Sequence, residues 1–476
     1  MKLHDIKLST SYKQLDSIFY DNTNPTPLKQ PYLMSFNPKA AELIDLDIEE
    51  ENCQDLVDFI NGSNLLEGSE PFSMCYAGHQ FGHFVPRLGD GRAINLGETQ
   101  GWNLQLKGAG PTLYSRQGDG RAVTRSSIRE YLMSEAMYAL GVPTTRALAI
   151  IGSDENVPRE KWEKGAVVLR MSPSWVRFGT FEYFYYSGNH DKLEQLADYV
   201  LKQSFSHLQG KEDAYFLMYE EIVKGTAELL AYWQSIGFNH GVMNTDNMSI
   251  ASLTIDYGPY AFLDSYDFDY VCNHTDRDGR YSFGNQPPIA YWNLSMLARA
   301  LSPILNLQRS EKALENFAEL YTDKYMELMR AKFGFEKEDE NDMTHIIDLL
   351  ALLASQKVDY TAFFRTLSHY NGDKTSVLEM CDQQLPMSQW LDEYDKRLKL
   401  ESSKERNKKM LATNPKYILK NHILQEAIDK AENGDNSLVN DLLFLAQNPY
   451  DEHPEFQKYA EATPSNYQNL KLSCSS

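Results

Sequence analysis

Hydrophobic periodicity divides the chain into a strand-rich part and a helical remainder. Residues 103–107 alternate apolar and polar side chains, which predicts a strand that ends in a lysine. Apolar positions at four-residue spacing in residues 124–140 predict a helix, and Gly141 begins its stop signal. Residues 219–233 carry a longer apolar stripe, typical of a core helix. Together these patterns predict an α+β fold.

The same change of pattern separates three predicted regions. Residues 1–70 are predicted to form an N-terminal extension with short helices and a segment interrupted by prolines. Residues 71–180 combine glycine-rich turns with short apolar runs and are predicted to form a β-rich lobe. Residues 181–476 are predicted to form a mainly helical lobe that ends in a polar, mobile tail.

The charge, the apolar runs and the cysteines of the chain limit the partners and the location that can be expected. The chain has 476 residues with 46 basic and 67 acidic side chains, a net charge of -21, which argues against nucleic-acid binding because phosphate backbones need a basic face. No apolar run reaches the length of a membrane span, and the first residues are not typical of a signal peptide. The cysteines are five, an odd number without CxxC spacing, which favours a reducing, cytoplasmic location.

The most specific candidate chemistry follows the long predicted helix. Asn247 lies seven residues after His240, and an Asp-Tyr-Gly begins at Asp256. Protein kinases hold magnesium with an asparagine and an Asp-Phe-Gly aspartate at this spacing, and amide and carboxylate oxygens are suitable hard ligands. Such residues in isolation more often shape turns, so the spacing is what favours a metal site. Val242 stands where a kinase has its base, and the carboxylate within this loop is Asp246.

Glycine-rich turns and a lysine precede this loop in the order that kinases use. Gly89 and Gly91 allow a tight turn whose backbone amides can approach phosphate, with Arg92 as an added charge. A hairpin turn needs the same glycines, so this motif alone is weak. Lys107 ends the predicted strand, and Glu130 lies early in the next helix. A glutamate there either pairs with the lysine, as in kinases, or belongs to a helix capping box.

Further candidates for anion binding follow in the same half of the chain. Residues 118–121 repeat the Gly-Asp-Gly-Arg sequence of residues 89–92. Arg170 and Arg177 lie seven residues apart before an aromatic run. Arginine suits bidentate contact with phosphate, so both are candidate phosphate ligands, and the alternative is that they are surface charges.

Taken together, these segments resemble the SelO (selenoprotein O) family of protein adenylyltransferases. The resemblance extends over nearly the whole chain. Its most specific marks are residues 89–98 (GDGRAINLGE), 106–112 (LKGAGPT), 118–123 (GDGRAV), 240–248 (HGVMNTDNM) and 474–476 (CSS). Some members of the family carry selenocysteine where this chain has Cys474, so the resemblance implies a member without selenocysteine.

The resemblance implies a protein-kinase-like bilobal fold in which residues 71–180 bind ATP in a reversed orientation. AMP would pass to a Ser, Thr or Tyr hydroxyl of a protein substrate, and pyrophosphate would leave. Asp246 would accept the proton, and Asn247 and Asp256 would hold Mg²⁺ or Mn²⁺. The nucleotide contacts that the resemblance implies are Gly89, Gly91, Arg92, Lys107, Asp119, Gly120, Arg170 and Arg177.

Two other functions stay open at this point, together with a hypothesis about redox control. A protein or small-molecule kinase would transfer the γ-phosphate instead, and a nucleotide-binding pseudoenzyme would transfer nothing. Cys272 lies sixteen residues after Asp256, and a thiol at Cys474 on a mobile tail can reach a distant partner. We therefore predict a reversible disulfide between the two cysteines, and the alternative is a pair of unrelated thiols.

Overall fold

A computed structural model describes residues 1–401, 405–464, 467 and 472. Among the described residues, most of the strands lie in the first half of the chain, and most of the helices lie in the second. The strands are β1 Tyr20–Asn22, β2 Tyr32–Phe36, β3 Phe72–Met74, β4 Gly78–Gln80, β5 His83–Val85, β6 Ala93–Thr99, β7 Trp102–Lys107, β8 Ala122–Val123, β9 Arg146–Pro158, β10 Trp162–Ser172, β11 Phe238–Asn239 and β12 Ala261–Phe262. The helices are α1 Pro38–Ala41, α2 Gln54–Ile60, α3 Thr124–Ala139, α4 Phe178–Tyr186, α5 Asp191–Ser204, α6 Ala214–Ser235, α7 Gln286–Leu301, α8 Leu307–Leu314, α9 Phe317–Phe333, α10 Asp342–Gln356, α11 Tyr360–Ser368, α12 Thr375–Leu378, α13 Gln384–Leu398, α14 Arg406–Thr413, α15 Asn421–Glu432 and α16 Ser437–Gln447.

An antiparallel sheet organises the first half. Its strands lie in the order β1-β3-β6-β7-β10-β9-β2 along the described chain, and β8 pairs with β10. The long hairpin of β9 and β10 and the shorter hairpin of β6 and β7 form its centre. The first 70 residues supply both edge strands, β1 and β2, so this segment completes the sheet at each side.

Two hydrophobic layers enclose the sheet. The N-terminal segment covers one face, where Leu3, Ile44 and Phe59 pack against leucines of β7 and β10. Helix α3 covers the opposite face, and its core continues into helices α4 to α7 and α15 to α16. Helices α9 to α14 enclose a further core of their own. In the part of the chain that the structure describes, no helix is both long and apolar enough to span a membrane.

The mixed α and β composition with an antiparallel sheet agrees with the predicted α+β class. The predicted helix at residues 124–140 and strand at 103–107 are present as α3 and β7. In the loop that carries Asn247, Thr245–Asn247 form a turn of 3₁₀ helix, and Asp256 lies outside any strand. Most of the predicted mobile tail, including Cys474, lies outside the described residues.

Candidate active site

The alternation of β7 and β10 places their polar residues on one face of the sheet. Leu104 and Leu106 point into the layer under the N-terminal segment. Gln105 and Lys107 therefore point towards α3, because successive strand residues face opposite sides. The register pairs Gln105 with Arg170, and the Arg170 guanidinium donates a hydrogen bond to the Gln105 side-chain oxygen. This arrangement brings Lys107 and Arg170 to the same face of the sheet, beneath α3.

Helix α3 places a carboxylate against these two side chains. Glu130 is buried, with Lys107 Nζ at 2.7 Å from Oε2 and Arg170 Nη1 at 2.7 Å from Oε1. The side chain makes no capping box, because the helix begins after Val123 and has no side-chain cap. Of the two interpretations of Glu130, the structure shows the ion pair with the strand lysine. Burial alone would raise the pKa of Glu130, but Arg170 and Lys107 outweigh it and lower the pKa.

Asp256 receives contacts from three cations. Its Oδ1 lies 2.6 Å from Arg170 Nη1 and 3.4 Å from Lys107 Nζ, and Arg177 Nη1 donates to Oδ2. The backbone of Asp256 has a φ of 56°, a left-handed conformation that is strained for a non-glycine residue. Burial opposes ionisation of this carboxyl, but Arg177, Lys107 and Arg170 together hold its pKa well below the usual range. Asp256 is therefore a carboxylate in the folded chain.

The 3₁₀ turn presents Asp246 and Asn247 beside these cations. Arg177 Nη1 donates to the backbone oxygen of Asp246 at 2.7 Å, and Gln80 Nε2 donates to its Oδ2 at 3.3 Å. The other carboxylate oxygen, Oδ1, is buried without a hydrogen-bond partner. Burial accordingly raises the pKa of Asp246 to about 7. The carboxyl is thus poised between its two protonation states near neutral pH.

Asn247 and Asp256 fit the donor chemistry of a magnesium site. Asn247 Nδ2 donates to the backbone oxygen of Val242 at 3.1 Å, which leaves the amide oxygen to face a cation. A carboxylate and an amide oxygen are hard ligands, and magnesium commonly completes its shell with water and substrate phosphates. Within the described residues no three His, Cys, Asp or Glu side chains cluster as a metal site.

A buried carboxylate that sequence reasoning missed fixes the position of Asp246. Glu182 of α4 is fully buried; its Oε1 lies 2.6 Å from His79 Nδ1, and its Oε2 accepts from Thr245 Oγ1. The Thr245 hydroxyl also accepts from the His79 backbone amide at 2.7 Å. His79 and Thr245 directly precede Gln80 and Asp246, the two residues that contact each other. Glu182 therefore ties the hairpin of β4 and β5 to the 3₁₀ turn that carries Asp246.

Removing the Thr245 hydroxyl is expected to lower turnover without unfolding the chain. Thr245→Val keeps the volume but breaks both hydrogen bonds, so the turn that carries Asp246 loses its anchor. We expect a drop of about 10- to 100-fold in kcat, because displacements of about 1 Å at a reacting group have this effect. Thr226→Val is the matched control, since the Thr226 hydroxyl is buried but has no hydrogen-bond partner. Equal kcat values for the two variants would contradict this role.

The two glycine-rich turns form the outer wall of the same site. Asp90 is buried between Gly89 and Gly91 and accepts hydrogen bonds from the Met74 amide at 3.0 Å and the Asn95 side chain at 3.1 Å. This aspartate therefore anchors the first turn. Gly89 has a φ of 72°, and a Cβ there would lie 2.2 Å from the Tyr114 ring.

The second turn is anchored from the long hairpin. Arg159, between β9 and β10, binds both carboxylate oxygens of Asp119 at 2.7 and 3.0 Å. Gly120 packs so closely on residue 110 that a Cβ would lie 2.1 Å from its backbone oxygen. In this structure Asp119 therefore orients the turn through Arg159, and the neighbouring Gly120 lets the backbone approach the loop at residue 110.

Gly120→Ala is expected to weaken nucleotide binding by at least about tenfold. The φ of 67° disfavours alanine, and the clash with a backbone oxygen can be relieved only if the turn moves. Gly141→Ala is the matched control: its φ is 79°, and no atom lies within 4 Å of the added Cβ. That control should cost about 1 kcal/mol of stability and leave ATP affinity unchanged. Calorimetric titration with ATP would measure both, and unchanged affinity in Gly120→Ala would contradict the placement of this turn.

All twelve residues predicted for catalysis, nucleotide binding or metal binding line one cleft of about 820 Å³. Seven basic and five acidic side chains border it among the described residues. Sequence reasoning missed several of the lining residues, including Tyr76, Gln80, Arg116 and Arg159. The only sequence signal for Gln80 was its place in a glycine-rich aromatic run, and no signal pointed to Arg159, which reaches the cleft through a tertiary contact.

Comparison with known proteins identifies the family. The model of the family described as "Protein adenylyltransferase SelO" matches residues 2–447. The chain belongs to the SelO family. It is similar to the protein nucleotidyltransferase YdiU of Thioalkalivibrio sulfidiphilus, with 47% identity over the whole of both chains. It is also 46% identical to the YdiU of Myxococcus xanthus and 43% identical to that of Pseudomonas aeruginosa, over 100% of this chain and 99% of each relative.

The predicted redox pair of this SelO-family chain lies only partly within the described structure. Cys272 is buried, and its Sγ donates to the backbone oxygen of Pro259, three residues after Asp256, at 2.6 Å. The burial of Cys272 does not test whether it forms a disulfide with Cys474. Cys474 lies outside the described residues, so the disulfide stays a prediction.

Proposed function

We propose that the chain transfers AMP from ATP to Ser, Thr or Tyr hydroxyls of protein substrates and releases pyrophosphate. Full-length membership of a family named for protein adenylyltransfer is the observation that carries the proposal. The cleft supports it independently, because seven basic side chains converge there in a chain whose net charge is -21. A concentration of cations in an acidic protein indicates a polyanionic ligand.

Each buried cation has a defined task in this proposal. Lys107 and Arg170, held by Glu130, contact the phosphates of ATP, and Arg92 adds a charge from the first glycine turn. Arg177 bridges Asp256 and the backbone of Asp246, so it couples the phosphate site to the base. Catalysis of this type depends on positioning and charge neutralisation more than on covalent chemistry.

The proposed transfer is balanced in bonds and protons. The acceptor hydroxyl oxygen bonds to the α-phosphorus of ATP, and the bond between that phosphorus and the oxygen bridging to the β-phosphate breaks. Pyrophosphate departs with the electron pair. Asp246 takes the hydroxyl proton at Oδ2, the oxygen that Gln80 orients. Magnesium, or manganese in its place, held by Asn247 and Asp256, would supply positive charge for the phosphates.

The finer parts of the proposal are a kinase-like arrangement of the two halves, a reversed ATP and a cytoplasmic location. The order of glycine turn, strand lysine, helix glutamate and metal loop supports the kinase likeness. Two glycine turns and several cations suit a triphosphate tail that is buried in the cleft. Cysteines without CxxC spacing support a reducing compartment.

Product analysis distinguishes this function from that of a kinase. The chain is incubated with unlabelled ATP, magnesium and a mixture of soluble proteins, and the released product is separated by ion exchange. AMP transfer predicts pyrophosphate together with acceptors whose mass rises by one adenylyl group. Release of ADP with phosphorylated acceptors would establish a kinase instead. ATP binding with neither product would favour a pseudoenzyme.

A further inference from the structure

The hairpin of β4 and β5 extends from Asp246 to the surface. Gln80, at the end of β4, contacts Asp246, and the turn continues through Phe81 and Gly82. The Phe81 side chain is 37% exposed. Its backbone has a φ of 50°, which is strained for a non-glycine residue. The hydroxyl of Tyr281 accepts a hydrogen bond from the Phe81 amide at 2.9 Å and keeps this conformation in place. The Phe81 ring is thus held beside the site by a strained backbone conformation.

An arginine lies against the outer side of this turn. The Arg280 guanidinium lies 4.7 Å from the centre of the Trp292 ring, and a Cβ on Gly82 would lie 3.3 Å from its central carbon. Its Nε is buried without a hydrogen-bond partner. Asp276 accepts the backbone amide of Arg280 at 3.0 Å, which fixes the chain there while the guanidinium stays beside the turn. Stacking on an aromatic ring pre-organises the guanidinium for a further partner.

A second arginine borders the other side of the hairpin. Arg299 lies seven residues after Trp292 on α7, close to the side chain of Tyr186. The Tyr186 ring is 39% exposed and packs against Phe84 of β5 at 4.1 Å between centres. In the described part of the chain, neither Arg280 nor Arg299 has a carboxylate within ion-pair distance. Two arginines without carboxylate partners therefore lie near the turn that carries Asp246, in a chain whose net charge is -21.

We propose that this surface, formed by Phe81, Tyr186, Trp292, Arg280 and Arg299, receives the acceptor protein and selects hydroxyls flanked by Asp or Glu. The inference rests on the proposed AMP transfer and names the substrate class of the same site. Its basis is charge complementarity: a planar guanidinium binds a carboxylate through two parallel hydrogen bonds. The exposed aromatic rings supply apolar contact around these ion pairs.

The distances along the hairpin agree with such an acceptor. Gln80, which contacts Asp246, and Gly82, which lies against Arg280, are two residues apart, so their Cα atoms are at most about 7 Å apart. An extended acceptor advances about 3.3 Å per residue. An acidic side chain two or three residues from the hydroxyl therefore reaches Arg280 while the hydroxyl meets Asp246.

Peptide acceptors test this selection directly. Three synthetic peptides carry one central Tyr flanked on both sides by Glu, Gln or Lys, and kcat/KM is measured with α-labelled ATP. The full-length chain is compared with the double variant Arg280→Gln, Arg299→Gln. Arg330→Gln is the control, because Arg330 of α9 pairs with the exposed Glu338 and belongs to neither the hairpin nor its neighbouring arginines. Labelling of the chain itself is recorded in every reaction as a reference for AMP transfer.

The expected result is a preference of at least about tenfold for the Glu peptide over the Gln peptide, since a charge-assisted contact contributes roughly this factor. The double variant should reduce the preference to about twofold or less, and the control should retain it. Equal rates on all peptides, a preference that survives the double substitution, or labelling of the chain without any peptide would overturn the inference. Absence of label from every acceptor, the chain included, would instead refute the proposed AMP transfer.

Discussion

Replacing Asp256 with asparagine is expected to abolish AMP transfer and to destabilise the chain at the same time. Asparagine keeps the shape but leaves Lys107 and Arg170 with Glu130 as their remaining carboxylate and removes the carboxylate that pairs with Arg177. Removing one member of a buried ionic network costs roughly 3–5 kcal/mol, so the unfolding free energy should fall by about that amount. Activity should fall by more than about 10³-fold, since metal and phosphate positioning are lost together.

The same variant makes a further prediction that separates electrostatics from general damage. ATP without magnesium should stabilise Asp256→Asn more than it stabilises the original chain, because the triphosphate replaces the lost negative charge. Asp392→Asn serves as the control, since Asp392 pairs with Lys374 at the surface and such pairs contribute about 0–1 kcal/mol. Thermal unfolding with and without ATP measures both effects. Similar stabilisation of all three proteins would contradict the charge assignment.

Asp246→Asn is expected to reduce transfer by about 10²- to 10⁴-fold while the nucleotide still binds. The substitution removes the proton acceptor, and a positioned base contributes a factor of this order. The proposed ATP contacts at Lys107, Arg170 and Arg177 are unchanged, so the dissociation constant of ATP should stay within about threefold. An equal loss of affinity and turnover would show that Asp246 mainly holds the nucleotide.

The stability of the original chain, compared with that of Asp246→Asn, should depend on pH in a direction that the burial of Asp246 determines. Burial raises the pKa from 3.8 to about 7, so the folded carboxyl keeps a proton that the unfolded chain releases between those values. Stability that this group contributes is therefore lost as pH rises from about 4 to about 7. Asp246→Asn lacks this loss and should be more stable than the original chain by roughly 2–4 kcal/mol at pH 8. Urea unfolding at pH 5 and pH 8, without nucleotide or divalent cation, measures the difference.

The sequence predicts the elements of the site that depend on local pattern. Alternation at residues 103–107 identifies the strand of Lys107, and four-residue spacing identifies the helix of Glu130. The spacing from His240 to Asp256 marks the loop that carries Asp246 and Asn247. These signals are local because strand and helix periodicities fix which side chains share a face.

Other parts of the site depend on contacts between distant segments. Glu182 reaches Thr245 across 63 residues, and neither residue belongs to a motif. Arg159 reaches Asp119 only because a long hairpin returns to the glycine turn. The edge strand β1 is three residues long, too short for periodicity to distinguish it from a loop. Tertiary packing, which local patterns do not encode, determines these positions.

The most direct test of AMP transfer uses two labels in separate reactions. The chain is incubated with magnesium and either α-labelled or γ-labelled ATP, and the label retained on protein is counted, with Asp246→Asn and Asp256→Asn in parallel. Label from the α position only, lost in both variants, is the result that AMP transfer by this site predicts. Label from the γ position only would contradict it and make the protein a kinase. Equal α label in the variants would place the reaction at another site.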